Sequence, residues 1–265
     1  VPGQRVVIEN HYFADNTDNE NYIRKVLLRV GSGKKVFKNI NFSYGMFIDC
    51  YFRKCIFRNC DFTGVVFRSS NFSGAVFEDC NFSYSEFYDS RFSEEILEWS
   101  TPRKNLQREF ARRLRINFRN LGEIELETAS AKAELKASKQ FLFEAWFAGK
   151  PGSHYRDKYK GRNRLKKLFE WIGHSFLYYF WGNGESFIRL GITFIVAIFI
   201  TFLILLGTSV EDSPNTGALL KMSPSVFLGL KEITANAWSM SVILIIRFIL
   251  FGLLLSMLVK KWALR

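Results

Sequence analysis

Histidine is nearly missing from this chain. His11, His154 and His174 stand far apart, with no carboxylate or cysteine at the spacing that a metal site or a catalytic triad requires. An enzyme is therefore the least expected class, and neither a metal nor a cofactor is expected. Cysteine is almost as scarce. Its four copies, Cys50, Cys55, Cys60 and Cys80, are separated by multiples of five residues, a spacing set by a repeat and not by a metal. Acidic residues are outnumbered by basic ones, 25 against 37, and the formal net charge of +12 points to an anionic partner, either nucleic acid or an anionic lipid surface. The chain begins at Val1 without methionine, and no signal peptide is read there.

What the sequence has in abundance is phenylalanine, and it is placed by rule. Phe37, Phe42, Phe47, Phe52, Phe57, Phe62, Phe67, Phe72, Phe77, Phe82, Phe87 and Phe92 follow one another every fifth residue in one unbroken phase. A small residue stands two places before most of them, as at Gly45, Cys50, Cys55, Cys60, Val65, Ser70, Ala75, Cys80, Ser85 and Ser90. A helix face recurs at ~3.6 residues and a strand face at 2, so neither explains a period of five.

The ladder resembles the pentapeptide-repeat family. That resemblance implies a right-handed quadrilateral β-helix, a β-solenoid in which each five-residue unit makes one side and four units complete a coil. Over residues 35–100, the twelve units would give about three coils at the strand spacing of ~4.8 Å. The phenylalanines would fill the axis, with the small residues between them. All four cysteines then fall at the small interior position and read as buried thiols. Cys60 and Cys80 would be stacked neighbours, and a disulfide between them is the minority reading, because the basic flank places this region in the reducing cytosol.

Residues 1–34 read as an N-terminal cap over the open coil end, with strands at Val6–Ile8 and Val26–Leu28. Gly31-Ser32-Gly33-Lys34 lacks the first glycine and the Ser/Thr of a phosphate loop, and that reading is rejected. Seven basic and two acidic residues lie between Lys34 and Arg68, against six acidic and one basic between Glu78 and Glu95. Some pentapeptide-repeat proteins mimic DNA with an acidic rod. This coil is neutral in sum, so that activity is not expected. The residues before the phenylalanines point outward in the family, which places Val36, Ile56 and Val76 on one face and Met46 and Val66 on the opposite one. These stripes are candidate docking surfaces, for the chain's own helices in the first instance and for a cytoplasmic protein partner in the second.

Residues 101–150 turn to a helical pattern. Thr101-Pro102 reads as a helix start, Leu106, Phe110, Leu114, Phe118 and Leu121 form one stripe, and Gly122 breaks it before a second helix running to Phe147. Leu114-Arg115-Ile116-Asn117-Phe118 with Leu121-Gly122-Glu123 is similar to a helical hairpin of bacterial pentapeptide-repeat channel-like proteins. Residues 151–185 carry Arg156, Lys158, Lys160, Arg162, Arg164, Lys166 and Lys167, then an aromatic run from Phe169 through Trp171 to Trp181. Such a helix suits an anionic membrane surface. Its place just before an apolar segment favours lipid over nucleic acid, which is not expected as a partner.

The last part, 186–265, holds two apolar segments at about 187–207 and 238–260, each long enough to span a bilayer. Arg189 lies within one turn of the first and can snorkel. Between them, Ser223-Pro224 reads as the start of a short helix reaching about Asn236. Basic residues flank the outer ends of both spans, Lys260, Lys261 and Arg265 among them, so the positive-inside rule puts both termini and the coil in the cytoplasm. Span, short helix, span resembles a two-transmembrane, potassium-channel-like subunit, which implies a homo-oligomer, a tetramer by analogy. No selectivity filter is present, because Lys231-Glu232-Ile233-Thr234-Ala235-Asn236-Ala237-Trp238 contains no glycine.

Arg247 lies mid-span, where a charge costs at least ~2.5 kcal/mol. By helical phase it shares a face with Asn236, Met240, Ile243 and Leu254, opposite Ser241, Gly252 and Ser256. Two arrangements follow. Arg247 faces an oligomer axis as a cationic ring favouring anions, or Ser241 and Ser256 line the pore and Arg247 pairs with Glu232, Asp212 or lipid headgroups. The expected function is an oligomeric ion pore of a bacterial inner membrane, non-potassium-selective and anion-leaning in the first of these arrangements, regulated by its coil and used in defence. The alternative is a non-conducting scaffold that recruits a partner through the coil surface.

Overall fold

The structure is a computed structural model that describes residues 5–101, 103–147, 155, 158–181, 186–208, 215–231 and 236–263. Arg156, Glu232 and Asp212 lie outside the described residues, as do half of the stretch compared with a selectivity filter and the helix-start residue Pro102. The chain divides into two compact units, 1–168 and 169–265.

The first unit is built on a β-solenoid of about four turns. Val7–Glu9, Val26–Leu28, Met46–Ile48, Val66–Arg68 and Glu86–Tyr88 stack as a five-stranded parallel sheet on one side. Thr17–Asp18, Val36–Lys38, Ile56–Arg58 and Val76–Glu78 form a four-stranded parallel sheet. Single bridges such as Tyr12 to Gly31 and Asn21 to Asn41 mark the two remaining sides. Phe37 pairs with Phe57 and Phe57 with Phe77, so each coil takes four five-residue units. The rings stack along the axis: Phe62 lies 5.2 Å from Phe42 and 5.0 Å from Phe82, nearly parallel to both.

The corners have a cost that the core offsets. One residue per unit takes φ near +50° to +60°, including Lys34, Tyr44, Lys54 and Tyr84, a region that L-residues avoid. Buried aromatic stacking and an unbroken parallel ladder hold the corners there.

The expected cap at 1–34 is corrected. Val7 pairs with Val26 and Val26 with Met46, so residues 7–34 are coils of the same solenoid. Their axial positions are Ile8, Phe13, Thr17, Tyr22, Leu27 and Ser32, mostly not phenylalanine. The phase also slips by one: Tyr12 pairs nineteen residues on with Gly31, whereas Thr17 pairs twenty on with Phe37. A missing residue between Phe13 and Thr17 hides the repeat. Ser32 is buried in the coil and donates to the Phe13 carbonyl at 3.0 Å.

A 3₁₀ turn, Glu94–Glu98, leads from the coil to α1 (Lys104–Asn120) and α2 (Ile124–Phe147). Gly122, at φ 72°, makes the turn between them. Arg115 with Glu134 and Arg119 with Glu127 tie the two helices side by side. α3 (Arg162–Trp181) follows, and the division between the units falls inside it.

The second unit continues with α4 (Phe187–Gly207), α5 (Thr216–Leu228) and α6 (Ala237–Ala263). Phe187–Gly207 and Ala237–Val259 are long and apolar enough to cross a membrane. The short helix corrects an expectation: Ser223-Pro224 does not open it but lies within it. Pro224 has no N–H for the carbonyl of Leu220, and the Ser223 hydroxyl donates to that oxygen instead, at 2.8 Å. α5 ends at Gly229, φ 78°, whose N–H bonds back to the last turn.

Candidate functional site

Three places in the chain gather functional side chains: the end of the coil, the α5–α6 contact, and the sides of the coil. At the coil end, the last turn would leave open backbone and exposed rings. α1 covers both. Phe110 packs 5.5 Å from Phe82, 5.6 Å from Phe87 and 4.7 Å from Trp99. Asn117, fully buried, accepts from the Ser90 N–H at 2.9 Å and donates to its carbonyl at 2.7 Å. That pair continues a series inside the coil, in which Ser70 Oγ accepts from Cys50 N and Ser90 Oγ from Ser70 N. Asn117 thus stands in for the next coil. Arg113 donates to the carbonyls of Tyr84 and Ser85, and Trp99 Nε1 to that of Cys80 at 2.8 Å. The sequence reading missed this cap, although a polar Asn117 beside the apolar stripe of α1 was the available signal.

The cysteines behave as small coil residues. All four are free and buried. Cys50, Cys60 and Cys80 each donate to a carbonyl of the coil before, at 3.2, 3.4 and 3.4 Å, as Ser70 does at 3.3 Å. Burial pushes the Cys50 thiol up from 9.0 to about 11 and also raises Cys55. Cys80 is raised by its hydrogen bond with Cys60 and by burial. Cys60 and Cys80 are neighbours joined by a hydrogen bond and carry no disulfide in this structure.

The candidate membrane-surface residues separate into two groups. Lys158, Lys160, Arg162 and Lys166 are exposed. Arg164 instead donates to the carbonyls of Trp146 and Phe147 at the C-terminal end of α2, and Lys167 sits 5.8 Å from the ring centres of both Phe141 and Tyr159. These two side chains build the first unit, because carbonyls at a helix end attract a cation. In the second unit, Phe169, Ile172, Phe176 and Tyr179 form an exposed stripe along α3. Trp171 lies off this stripe, half-buried, with a buried indole nitrogen. Arg189 has partners within the unit. It donates to the Tyr178 carbonyl at 3.1 Å and covers the Tyr178 ring at 4.3 Å, while Thr193 donates to the Phe180 carbonyl.

Arg247 follows the same rule. Its Nη2 donates to the Val226 carbonyl at 3.0 Å, and a Cβ placed on Gly229 would lie 2.5 Å from its Nη1. The face of α6 that carries it turns to its own chain: Ile243, Leu250 and Met257 are buried against Leu190 and Ala197 of α4 and Phe227 of α5, with Leu254 packed beside them. Asn236 caps the start of α6 by accepting from Trp238 N at 3.2 Å. Ser241, Gly252 and Ser256 are exposed, and a Cβ placed on Gly252 would meet nothing within 4 Å beyond its own helix. Within the chain, Arg247 therefore turns towards the end of α5. The α5 end supplies a carbonyl partner that no sequence pattern announced.

On the coil, Val36, Ile56 and Val76 stand in register on three successive rungs, as do Met46 and Val66 on the five-stranded side. Val76 is 41% exposed and the others are half-buried. Within the first unit, α1 sits on the coil end, with Phe110, Leu114 and Phe118 joining the axial core.

Residues 35–101 match the family model described as a pentapeptide repeat region. The chain thus contains such a region, as the solenoid and its period require. No curated protein matches. Among solved structures, the coil is similar to a trypsin-treated variant of QnrB1, a plasmid-mediated fluoroquinolone resistance protein. The identity is 15% and the TM-score 0.14, over 34% of this chain and 54% of that one. The chain therefore spans about half the length of that structure.

Proposed function

We propose that the chain is a membrane-embedded homo-oligomer in which α4, α5 and α6 of several copies form an ion-conducting path, with the coil as its cytoplasmic regulatory domain. The observation that carries this reading is the exposure of Ser241, Gly252 and Ser256 on an otherwise apolar α6, while the arginine face is used up within the chain. Small and hydroxyl residues favour close helix approach and a polar lining. Span, short helix, span is the layout of two-transmembrane, potassium-channel-like subunits, and a tetramer follows by analogy. Without a filter glycine between Lys231 and Trp238, potassium selectivity is not part of the proposal. With Arg247 held on α5, a cationic ring is not part of it either, and weak selectivity is expected. The exposed stripe of α3 and the exposed Lys158, Lys160, Arg162 and Lys166 suit anionic lipid headgroups. The positive-inside rule, applied to these cations and to Lys260 and Lys261, puts the coil in the cytoplasm of a bacterial inner membrane.

The test is the current through a planar bilayer holding the purified protein under a salt gradient. Wild type should conduct with a reversal potential near zero, Ser256→Trp should lower the conductance, and Arg247→Lys should leave the reversal potential in place. Silence from folded, inserted protein would leave the scaffold reading, which the coil surface favours on its own account.

A further inference from the structure

The four-stranded side of the coil carries more than an apolar stripe. On its rungs, Val36, Ile56 and Val76 stand one above another. Two residues before them lie Lys34 and Lys54, both at corner positions, and two residues after them lie Lys38 and Arg58, paired in register. Arg53 adds a further cation beside Lys54. All five of these cations are exposed. Among the described residues, carboxylates on this face lie towards its two ends: Asp15 and Asp18 near the first rung, the latter accepting from Asn39, and Glu78 and Asp79 on the last, Glu78 bridged to Arg58. The middle of the face is thus a narrow apolar seam between two cationic rails.

We infer that this side of the coil docks an acidic amphipathic helix of a protein partner. Successive rungs place the three apolar side chains at 0, ~4.8 and ~9.6 Å along the coil. A helix laid along the same direction presents residues i, i+3 and i+7 at 0, ~4.5 and ~10.5 Å. One apolar ridge of such a helix therefore meets the seam rung by rung, and glutamates on its two flanks reach the two rails. Val36 and Ile56 are half-buried between the rails, a profile that suits a ridge lying on the surface better than insertion into lipid. The inference stands whether or not the second unit conducts.

The experiment uses the full chain in nanodiscs of neutral lipid and a fluorescent synthetic helix with leucines at i, i+3 and i+7 and glutamates on both flanks. Binding that weakens as salt rises, is lost when lysines replace the glutamates, and drops roughly tenfold or more in the Lys38→Glu/Lys54→Glu protein supports the site. Ile56→Ser should weaken binding without changing its salt dependence. Equal binding of the lysine peptide, which needs no altered protein, overturns the inference. So does absence of binding to wild type, or displacement of the peptide by vesicles of anionic lipid and not by neutral ones.

Discussion

The guanidinium of Arg247 rests on the C-terminal end of α5, with Nη2 3.0 Å from the carbonyl oxygen of Val226. Gly229 leaves the room for it, since a Cβ there would sit 2.5 Å from Nη1. The same device appears at Arg164 on α2 and Arg189 on α3. In each case a cation meets carbonyls in the last turn of a helix, where the backbone dipoles favour positive charge.

Arg247→Ala should therefore lower the stability of the folded protein in detergent, by about 1.5–3 kcal/mol, the range for hydrogen bonds to charged groups. Gly229→Ala should also destabilise, through its φ of 78° and through the displaced guanidinium. The two losses should sum to more than the double variant shows, because removing Arg247 frees the space. Thermal unfolding of the four proteins measures the coupling, and simple additivity would contradict the contact.

Asn117→Leu should uncap the coil. It leaves a buried N–H and a buried carbonyl of Ser90 without partners, at roughly 1–3 kcal/mol for each group. Denaturant unfolding should show a lower midpoint, and hydrogen exchange should rise first at the amides of the last coil.

Gly45→Ala should destabilise although Val65 holds the equivalent place one coil on. A Cβ at Gly45 would lie 2.8 Å from the Phe42 carbonyl and 3.0 Å from that of Lys25, so backbone and not a movable side chain must yield. Phe62→Ala, by comparison, opens a cavity in a fully buried stack and should cost about 3–5 kcal/mol. Denaturation midpoints rank both against wild type.

Alkaline pH should loosen the coil before it affects the helices. The folded state keeps the Cys50 proton up to about pH 11, whereas the unfolded thiol loses it near 9.0. The contribution is complete below pH 9.0, is lost as pH rises towards 11, and levels off beyond. Cys55 acts in the same direction. Cys50→Ser, which copies the Ser70 arrangement, should flatten this part of the stability profile. Native protein should also resist thiol alkylation until it unfolds.

The repeat, its four-sided coil, the helical hairpin and the two apolar helices were legible in the sequence, because each depends on periodicity, and periodicity is local. Phenylalanine at every fifth position admits few other folds, and the thiols at the small positions could be read as buried. The first coils escaped notice because Leu27, Ser32, Tyr22 and Thr17 replace phenylalanine there and the phase slips by one residue. Pro224 misled because a proline that looks like a helix start is tolerated inside one when Ser223 takes up the orphaned carbonyl. Only the tertiary structure decided where the long polar side chains go. Asn117 and Arg247 are on helix faces that the sequence defines, but their partners, Ser90 and Val226, lie 27 and 21 residues away. A hydrogen bond across that distance is set by how whole elements pack, and no local pattern encodes it.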